Sequence, residues 1–350
     1  MDCDEKHEAI QEKIGYGASG PTVDDPLKPI VGMLAESVAN DHWRVDGSLA
    51  VPGWLRPIVP QEDKAHVTVE NYVNFIDRNG CLDFAQAIQQ KVAESVLPDF
   101  PCLIAVDHSL SGGAYRALAE HHGRENISFL VIDSHTDAVP MSRLADAILY
   151  DAQTNRDSVF DANDPYLHNR TESYNAGSFI QGLLEDGVLD PRDLYIIGIS
   201  DFPAKKAFRI KDKRIADYVA VYHSLQSRGA TLITRQECQM QPTKVKNLLK
   251  RIRTPYAYLS IDMDIGARNA VEGVRFKNWR GLGEKQLFRL AATIGECGGR
   301  DLELVGMDIT EINPRTAGLP IDGNQADPTY RIAQDLIHQF AFQQVVHSSE

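Results

Sequence analysis

Six short apolar segments recur from about residue 100 onward, and they restrict the possible fold more than any other feature of the chain. They span residues 102–106, 127–132, 194–199, 230–233, 257–261 and 302–307. Most are rich in β-branched or aromatic residues, as expected for strands that are buried on both faces of a parallel sheet. Segments with helical periodicity separate and follow them, at residues 112–122, 178–186, 214–228, 243–251, 284–295 and 329–342. This alternation predicts an α/β fold with three layers, in which helices cover both faces of a mostly parallel sheet.

The first 95 residues and one later segment fit this pattern less well. Residues 83–96 predict a helix, and a segment rich in proline and glycine precedes it without a recognisable strand. We interpret residues 1–95 as an N-terminal extension or the first part of the domain, and residues 96–350 as the α/β domain, within a single domain overall. Residues 141–171 are polar and rich in Asp and Asn, which predicts a long loop that is a functional flap or disordered.

Composition argues against several classes of function. The 350-residue chain has a net charge of -13, whereas a nucleic-acid partner requires a basic surface. Its five cysteines are scattered without a CxxC pair, which is typical of reduced, mostly buried thiols. The sequence contains no apolar run that approaches the roughly 20 residues needed to span a bilayer, and its polar N-terminus is unlike a signal peptide. We expect a cytoplasmic protein with no nucleic-acid and no membrane partner.

Clusters of acidic and imidazole side chains directly follow three of the predicted strands. Asp107, His108 and Ser109 follow the first strand, the DSHTD segment at 133–137 follows the second, and the DMD segment at 262–264 follows the fifth. Ligands bind at the carboxyl ends of the strands in open α/β sheets, so these side chains are expected to converge. Alternation along an extended chain allows the polar side chains of each segment to point the same way. The candidate metal ligands are His108, Asp133, His135, Asp137, Asp262 and Asp264.

A metal site explains the convergence of these groups better than burial without a partner does. Four carboxylates brought together without cations would be very costly to bury. The four aspartates and two histidines are too many ligands for one ion, but they suit two divalent ions that share carboxylates. Mixed oxygen and nitrogen ligands favour Mn²⁺, with Ni²⁺, Co²⁺, Fe²⁺ or Zn²⁺ as alternatives. The competing interpretation is that Asp107, His108 and Ser109 simply cap the helix that follows them.

The order and spacing of these segments resemble the ureohydrolases, the family of arginase, agmatinase and formiminoglutamase. The resemblance rests on AVDHS at 105–109, DSHTD at 133–137, SIDMDIG at 260–266 and DITEINP at 308–314, and it extends over residues 101–342. It implies an arginase-like fold and a site for two divalent cations. One cation would be held by His108, Asp133, Asp137 and Asp262, and the other by Asp133, His135, Asp262 and Asp264, so that Asp133 and Asp262 bridge them.

The resemblance also implies a reaction, the hydrolysis of a C–N bond at a guanidino carbon, which releases urea and an amine. Glu311 would pair with a small cationic guanidino substrate, and Asp137 would accept the proton of the attacking water and pass it to the leaving amine. Asn175 lies where many members of the family carry a proton-transferring histidine, so we expect it to contact the substrate, and His168 is a candidate to replace that histidine. The family also suggests a homo-oligomer, either a trimer or a hexamer.

Other departures from the family lie in loops around the expected substrate. Ala105-Val106 replaces two glycines before the DHS segment, and Ala267-Arg268 replaces the usual Asp-Pro after the DMD segment. These changes leave two alternatives open, a formiminoglutamase-type hydrolase or a catalytically silent member that acts as a subunit or regulator. A metal deacetylase is a more distant alternative, because such enzymes use one zinc ion and a His pair, whereas His121-His122 ends a predicted helix.

Overall fold

The protein is built around a six-stranded parallel sheet, and the computed structural model describes residues 1–16, 24–266, 269–297, 302–322 and 325–342. The strands are β1 (Cys102–Ile104), β2 (Ile127–Ile132), β3 (Leu194–Ile199), β4 (Thr231–Thr234), β5 (Tyr256–Asp262) and β6 (Glu303–Thr310). They lie in the order β1-β6-β5-β2-β3-β4, with parallel pairing throughout this sheet. A separate antiparallel pair consists of β7 (Pro320–Asp322) and β8 (Gln325–Ala326). The Ala267-Arg268 pair lies outside the described residues.

Helices flank the sheet along the whole described chain. They are α1 (His7–Gly15), α2 (Leu27–Ser37), α3 (Val69–Asp77), α4 (Gly80–Lys91), α5 (Ser111–His122), α6 (Met141–Thr154), α7 (Phe179–Glu185), α8 (Lys213–Ser227), α9 (Arg235–Met240), α10 (Pro242–Leu249), α11 (Glu284–Cys297) and α12 (Thr329–Ile337). The segments Val92–Val96 and His338–Phe342 extend α4 and α12 as π-helical turns. None of the described helices is long and apolar enough to cross a membrane.

Side-chain alternation along the strands divides the core into two layers. In β2, Phe129 and Val131 pack in one apolar cluster with residues of α3, α4, α5 and α7. Leu130 and Ile132 point to the other face, where they pack with residues of α2, α10, α11 and α12. Because both faces of the sheet are covered, the sequence of β2 is an almost continuous run of apolar residues. The predicted three-layer α/β fold with a mostly parallel sheet is confirmed, and each of the six predicted strands overlaps an observed one.

The prediction of a loop over residues 141–171 is wrong for its first half. Residues Met141–Thr154 form α6, in which Met141, Ala145 and Leu149 are buried on one side. These positions are four residues apart, which is the spacing of one helix face. Arg143 contacts Asp217 of α8 at 2.5 Å, so the helix also gains an ion pair with its neighbour. A short 3₁₀ turn, Pro165–Leu167, interrupts the remaining loop.

The N-terminal residues, for which we predicted little structure, contribute to both layers of the core. Leu55 and Tyr72 are fully buried in the cluster that contains Phe129. Ile30 and Leu34 of α2 lie in the cluster on the opposite face of the sheet. The helix predicted at 83–96 begins three residues earlier, at Gly80, and its last turn is the π-helical segment Val92–Val96. The N-terminal residues therefore fill space that the parallel strands leave open on both faces.

Candidate metal site

Aspartates bend the chain back at the ends of two neighbouring strands. The Oδ1 atom of Asp133 accepts a hydrogen bond from the backbone N–H of His135 at 2.6 Å, and that of Asp262 accepts from the N–H of Asp264 at 2.8 Å. Ile132 and Ile261 are paired in the register of β2 and β5, so the aspartates that follow them lie side by side. Since Oδ1 is bonded to the backbone in both turns, Oδ2 is left to face the site.

A first group of ligand atoms surrounds the imidazole of His108. Its Nδ1 atom lies 2.8 Å from Oδ2 of Asp137 and 3.2 Å from Oδ2 of both Asp133 and Asp262. All four residues are buried, and one ligand atom from each lies within 4.8 Å of all the others. Asp137 reaches this position with a φ angle of 47°, in the left-handed region that few residues other than glycine adopt. The structure therefore brings together four predicted ligands that are up to 154 positions apart in sequence.

A second group lies on the outer side of the first. Nδ1 of His135 is 2.9 Å from Oδ2 of Asp264 and 3.6 Å from Oδ1 of Asp133. One ligand atom from each of Asp133, His135 and Asp264 likewise lies within 4.8 Å of the other two, so Asp133 belongs to both groups. The side chain of His135 is 44% exposed, whereas the inner group is buried. The solvent-facing side of the site at His135 is called its entrance below. Asp262 belongs to the first group alone, and its role as a bridging ligand stays a prediction.

The donor atoms fit divalent cations. In the described part of the chain, three buried ligand atoms of these groups make no hydrogen bond, although each lies 2.8–3.2 Å from another ligand atom: Nδ1 of His108, Oδ2 of Asp133 and Oδ2 of Asp264. Leaving such atoms unsatisfied is costly, whereas coordination of a cation would satisfy them. Mixed carboxylate and imidazole donors are typical of Mn²⁺ and neighbouring divalent metals. The residues present could therefore hold one cation in each group, with Asp133 shared.

The electrostatics of the cluster show an excess of negative charge. Burial and the charge of Asp133 raise the pKa of Asp137 to about 8. Burial and the charges of Asp264 and Asp133 raise the pKa of Asp262 well above its usual range. Burial opposes protonation of His108, but the three carboxylates around it outweigh burial and raise its pKa well above the usual value. Without cations the cluster would take up protons, so metal binding would release them.

A chain of hydrogen bonds behind His108 orients its ring. Nε2 of His108 lies 2.8 Å from the hydroxyl oxygen of Ser260, which donates to Oδ1 of Asp308 at 2.7 Å. Tyr258 donates to the other oxygen of Asp308 at 2.6 Å. Because Asp308 accepts the Ser260 proton, Ser260 accepts from Nε2–H, and Nδ1 keeps its lone pair for a metal. Phe179 of α7 packs against the imidazole, with ring centroids 4.9 Å apart.

Sequence reasoning did not identify the residues that support the metal ligands, although two of them, Ser260 and Asp201, carried a recognisable signal. Ser260 lies two positions before Asp262 on β5, on the face that the ligand occupies. Asp201 was also missed, and it accepts from the backbone N–H of Thr136 at 3.1 Å and from its hydroxyl at 2.7 Å. Asp201 follows β3 by two residues, so the strand-end rule that selected the metal ligands would have selected it too.

Glu311 contacts a guanidinium group that belongs to the chain itself. Its Oε1 atom accepts from the backbone N–H of His108 at 3.0 Å and lies 3.2 Å from Nη1 of Arg275. The side chain of Arg275 is only 4% exposed and also lies 3.3 Å from both Asp107 and Asp2. Oε2 of Glu311 is buried without a partner among the described residues. The role of Glu311 toward a substrate stays a prediction, and the structure adds that one of its two oxygens is already in use.

The two other predicted substrate-site residues interact within their own loops. His168 is exposed, and its Nε2 lies 3.3 Å from the carbonyl oxygen of Ala162. The side-chain oxygen of Asn175 accepts from the N–H of Gly177 at 2.9 Å, and its amide donates to the carbonyl of Ser173 at 3.3 Å. Asn175 therefore stabilises the turn before α7, because its oxygen and amide nitrogen are already paired there. The proton-transfer role of His168 stays a prediction.

The entrance of the site carries an aromatic and a basic side chain. The ring of Phe276 meets the imidazole of His135 edge to face, with centroids 6.1 Å apart. The ammonium group of Lys6 lies 4.0 Å from the centroid of the same ring, in the range of a cation–π contact. The N-terminal segment and the connection between β5 and α11 therefore meet beside the exposed imidazole.

The chain is similar to one protein family and to several solved structures. The model of the Arginase family matches residues 57–342. A comparison with curated proteins gives no match. Among solved structures, proclavaminate amidino hydrolase from Streptomyces clavuligerus is 19% identical, with 74% of this chain and 70% of that chain covered and a TM-score of 0.49. Arginase from Bacillus subtilis is 18% identical, with 76% of this chain and 80% of that chain covered and a TM-score of 0.47. Formimidoylglutamase from Bacillus subtilis is 16% identical, with 74% of this chain but only 65% of that chain covered and a TM-score of 0.48.

Proposed function

Because the chain belongs to the arginase family, we propose that it is a dinuclear metal-dependent hydrolase that cleaves a C–N bond of a guanidino compound and releases urea and an amine. The observation that carries this proposal is the convergence of six acidic and imidazole side chains in two groups that share Asp133. The unpaired ligand atoms within these groups support cation binding over a purely structural role. The expected ligands are His108, Asp133, His135, Asp137, Asp262 and Asp264.

The side chains of the site have distinct roles in this reaction. Divalent cations at a dinuclear site supply Lewis acidity and a nucleophile at neutral pH. Asp137 lies beside His108 in the inner group and accepts the proton of the attacking water, which it passes to the leaving amine. Oε2 of Glu311, buried and unpaired among the described residues, accepts an N–H bond from the cationic substrate. Phe179 excludes water from one side of the His108 ring.

Three further properties belong to this proposal. Manganese is the expected metal, because both donor groups combine carboxylate oxygens with an imidazole nitrogen. The substrate is a small cation, since the site is rich in carboxylates and the whole chain carries a net charge of -13. The assembly is a trimer or a hexamer, which light scattering of the purified protein would measure directly.

One observation favours a second candidate, a formiminoglutamase-type hydrolase. A guanidinium group typically pairs with a carboxylate through two parallel N–H bonds. Oε1 of Glu311 already lies 3.2 Å from Arg275, so a single oxygen is left for a substrate. A formimino group carries fewer N–H donors than a guanidinium group and needs fewer acceptors. The same metal site would then release formamide instead of urea.

A substrate screen separates these candidates. The manganese-loaded protein is incubated with arginine, agmatine, guanidinobutyrate, guanidinopropionate and guanidine, and urea is measured. Formiminoglutamate is assayed in parallel for formamide. We expect urea release from one guanidino compound, whereas formamide release would support the second candidate. If the protein holds two metal ions and turns over none of these compounds, the result contradicts the proposed hydrolysis of these substrates and favours a catalytically silent member of the family that acts as a subunit or regulator.

A further inference from the structure

Two cysteines face each other in the core next to the metal site. The sulfur atoms of Cys3 and Cys81 are 3.3 Å apart, although the residues are separated by 78 positions in sequence. Both side chains are buried. Two sulfur atoms at this distance are already in contact, so a bond between them requires no rearrangement of distant parts of the chain.

Both cysteines are held in place by their own surroundings. Next to Cys3, the backbone N–H of Asp2 donates to the carbonyl of Leu55 at 2.8 Å. The carboxylate of Asp2 lies 3.0 Å from Arg315 and 3.3 Å from Lys13, and these residues are buried. Cys81 is the second residue of α4, which packs in the core. The short distance between the sulfur atoms is thus set by two independently anchored segments.

The Cys3 thiol also belongs to the hydrogen-bond network around the metal site. Its sulfur donates to Oδ2 of Asp107 at 3.0 Å. The same oxygen lies 3.3 Å from Arg275, which in turn contacts Glu311. Asp107 immediately precedes His108, the residue around which the inner ligand group is arranged. The chemical state of the Cys3 thiol is therefore coupled, through one carboxylate, to both His108 and Glu311.

We propose that Cys3 and Cys81 form a reversible disulfide bond that weakens metal binding, with a low-molecular-weight disulfide such as oxidised glutathione as the oxidant. One protein thiolate attacks a sulfur of the small disulfide, which forms a mixed disulfide and releases one small thiol. The second cysteine attacks the mixed disulfide, closes the Cys3–Cys81 bond and releases the second small thiol. Two electrons pass to the oxidant, and the two thiol protons end on the two released thiols.

Closing this bond changes the surroundings of the metal site. The Cys3 thiol can no longer donate to Asp107, so that buried carboxylate keeps Ser109 and Arg275 as donors but loses one hydrogen bond. One hydrogen bond to a charged group corresponds to about a tenfold change in an equilibrium constant. We therefore expect oxidation to lower manganese affinity about tenfold. This regulatory effect rests on the proposed function, whereas formation of the bond does not.

Oxidation of this pair is expected to be slow. The hydrogen bond with Cys81 and burial hold the pKa of the Cys3 thiol well above its usual range. Because the thiolate is the reacting species, the reaction proceeds when the segment around Cys3 opens and admits the oxidant. Cys102 is exposed and Cys238 is half-buried, so they would react independently and serve as internal controls.

Thiol counting and peptide mapping test the bond on the full chain. The metal-free protein is incubated with oxidised glutathione, alkylated, denatured and digested without reduction. We expect a peptide containing Cys3 linked to one containing Cys81, which dithiothreitol separates. The linked peptide should be absent from the Cys3→Ser and Cys81→Ser variants and should persist in Cys102→Ser. If the wild-type protein shows only glutathione adducts, or links to other cysteines, the proposed bond does not form.

Calorimetric titration with Mn²⁺ tests the regulation separately. The oxidised wild-type protein should bind manganese about tenfold more weakly than the reduced protein, and dithiothreitol should restore the affinity. The oxidant should leave the manganese affinity of Cys81→Ser unchanged. If the wild-type protein with a confirmed Cys3–Cys81 bond binds manganese as tightly as the reduced protein does, the proposed regulation is wrong. If the reduced protein binds no manganese, the proposed function and the regulation both fail, while the peptide map still decides the bond.

Discussion

Asp133 and Asp262 use the two oxygens of their carboxylates for different purposes. In each, Oδ1 accepts a backbone N–H two residues later and fixes the turn, whereas Oδ2 lies 3.2 Å from Nδ1 of His108. An aspartate is needed here because an asparagine could keep the turn but would lose a charged ligand atom. Turn formation and metal binding can therefore be separated by a single substitution.

Substitution of Asp133 should affect both metal positions, because Asp133 is the residue that both ligand groups share. We expect Asp133→Asn to retain at most one manganese ion per chain after dialysis, where the wild-type protein retains two. Elemental analysis measures the ratio. Asp161→Asn, in an exposed loop, is the control and should match the wild type. Two ions retained by Asp133→Asn would show that Asp133 is not a ligand of either.

Removal of the Ser260 hydroxyl should weaken metal binding without removing a ligand. Ser260 links Nε2 of His108 to Asp308, so Ser260→Ala leaves the imidazole without its orienting partner. Loss of such supporting contacts typically lowers metal affinity about 10- to 100-fold, and calorimetry with Mn²⁺ would measure it. The matched control is Ser128→Ala, a buried serine of β2 that bonds Thr254 instead. Equal affinities of the two variants would contradict the role of Ser260.

At the scale of secondary structure, α4 and α5 pack closely enough that a glycine is required. A Cβ atom at Gly113 of α5 would lie 2.0 Å from the carbonyl oxygen of Ala85 in α4. The helices would have to move apart, and α5 directly follows the turn that carries His108. The contact between these two helices therefore helps to position an inner ligand.

Gly113→Ala should lower the free energy of unfolding by about 2–3 kcal/mol, because the clash is with backbone. Gly32→Ala in α2 is a control that should change the free energy of unfolding in the opposite direction, since a Cβ atom there meets nothing within 4 Å. It should raise the free energy of unfolding by about 0.5–1 kcal/mol, the usual difference in helix propensity. Urea denaturation of both variants measures the two changes. Equal stability of Gly113→Ala and the wild type would mean that the helices are not packed as described.

The segment before α1 is held by a buried ion cluster around Asp2. Burial opposes ionisation, but Lys13, Arg275 and Arg315 hold the pKa of the Asp2 carboxyl well below its usual range. A carboxyl whose folded pKa is depressed stabilises the protein above its unfolded pKa of about 3.9, and this contribution is lost as the pH falls toward the folded value. The cluster should therefore make stability depend on pH in the acidic range.

Asp2→Asn should be about 3 kcal/mol less stable than the wild type at pH 7, because it leaves buried cations without their partner. This difference in the free energy of unfolding between Asp2→Asn and the wild type should stay the same at pH 5. It should shrink below about pH 4, where the wild-type carboxylate begins to gain a proton on unfolding. Urea denaturation at pH 7, 5 and 3.5 tests both parts. A difference that grows toward low pH would contradict a lowered pKa of the Asp2 carboxyl in the folded protein.

The strands of the sheet could be predicted from the sequence, whereas several helices could not. Strands buried on both faces are continuous apolar runs, such as Ile127–Ile132, and need no knowledge of their neighbours. The helix Met141–Thr154 was missed because its apolar side is narrow and its other side is polar. The short helix Arg235–Met240 depends on a capping box between Thr234 and Glu237, which is a local signal within an otherwise polar segment.

At the scale of the whole molecule, the site lies over the centre of the sheet. The neighbouring strands β5 and β2 carry Asp262 and Asp133 at their carboxyl ends, with Ile132 and Ile261 in register. The order of strands cannot be read from a single sequence, so the sequence predicted which residues would meet but not their arrangement. The ion pair between Arg275 and Glu311 was also not predictable, since it joins a loop to a strand end and has no periodic pattern.

Diffraction from crystals soaked in manganese, recorded at a wavelength where manganese scatters anomalously, tests the central claim most directly. We predict two anomalous peaks per chain, one among His108, Asp133, Asp137 and Asp262, and the other among Asp133, His135 and Asp264. A single peak, or none within coordination distance of these residues at saturating manganese, would contradict the assignment of a dinuclear site.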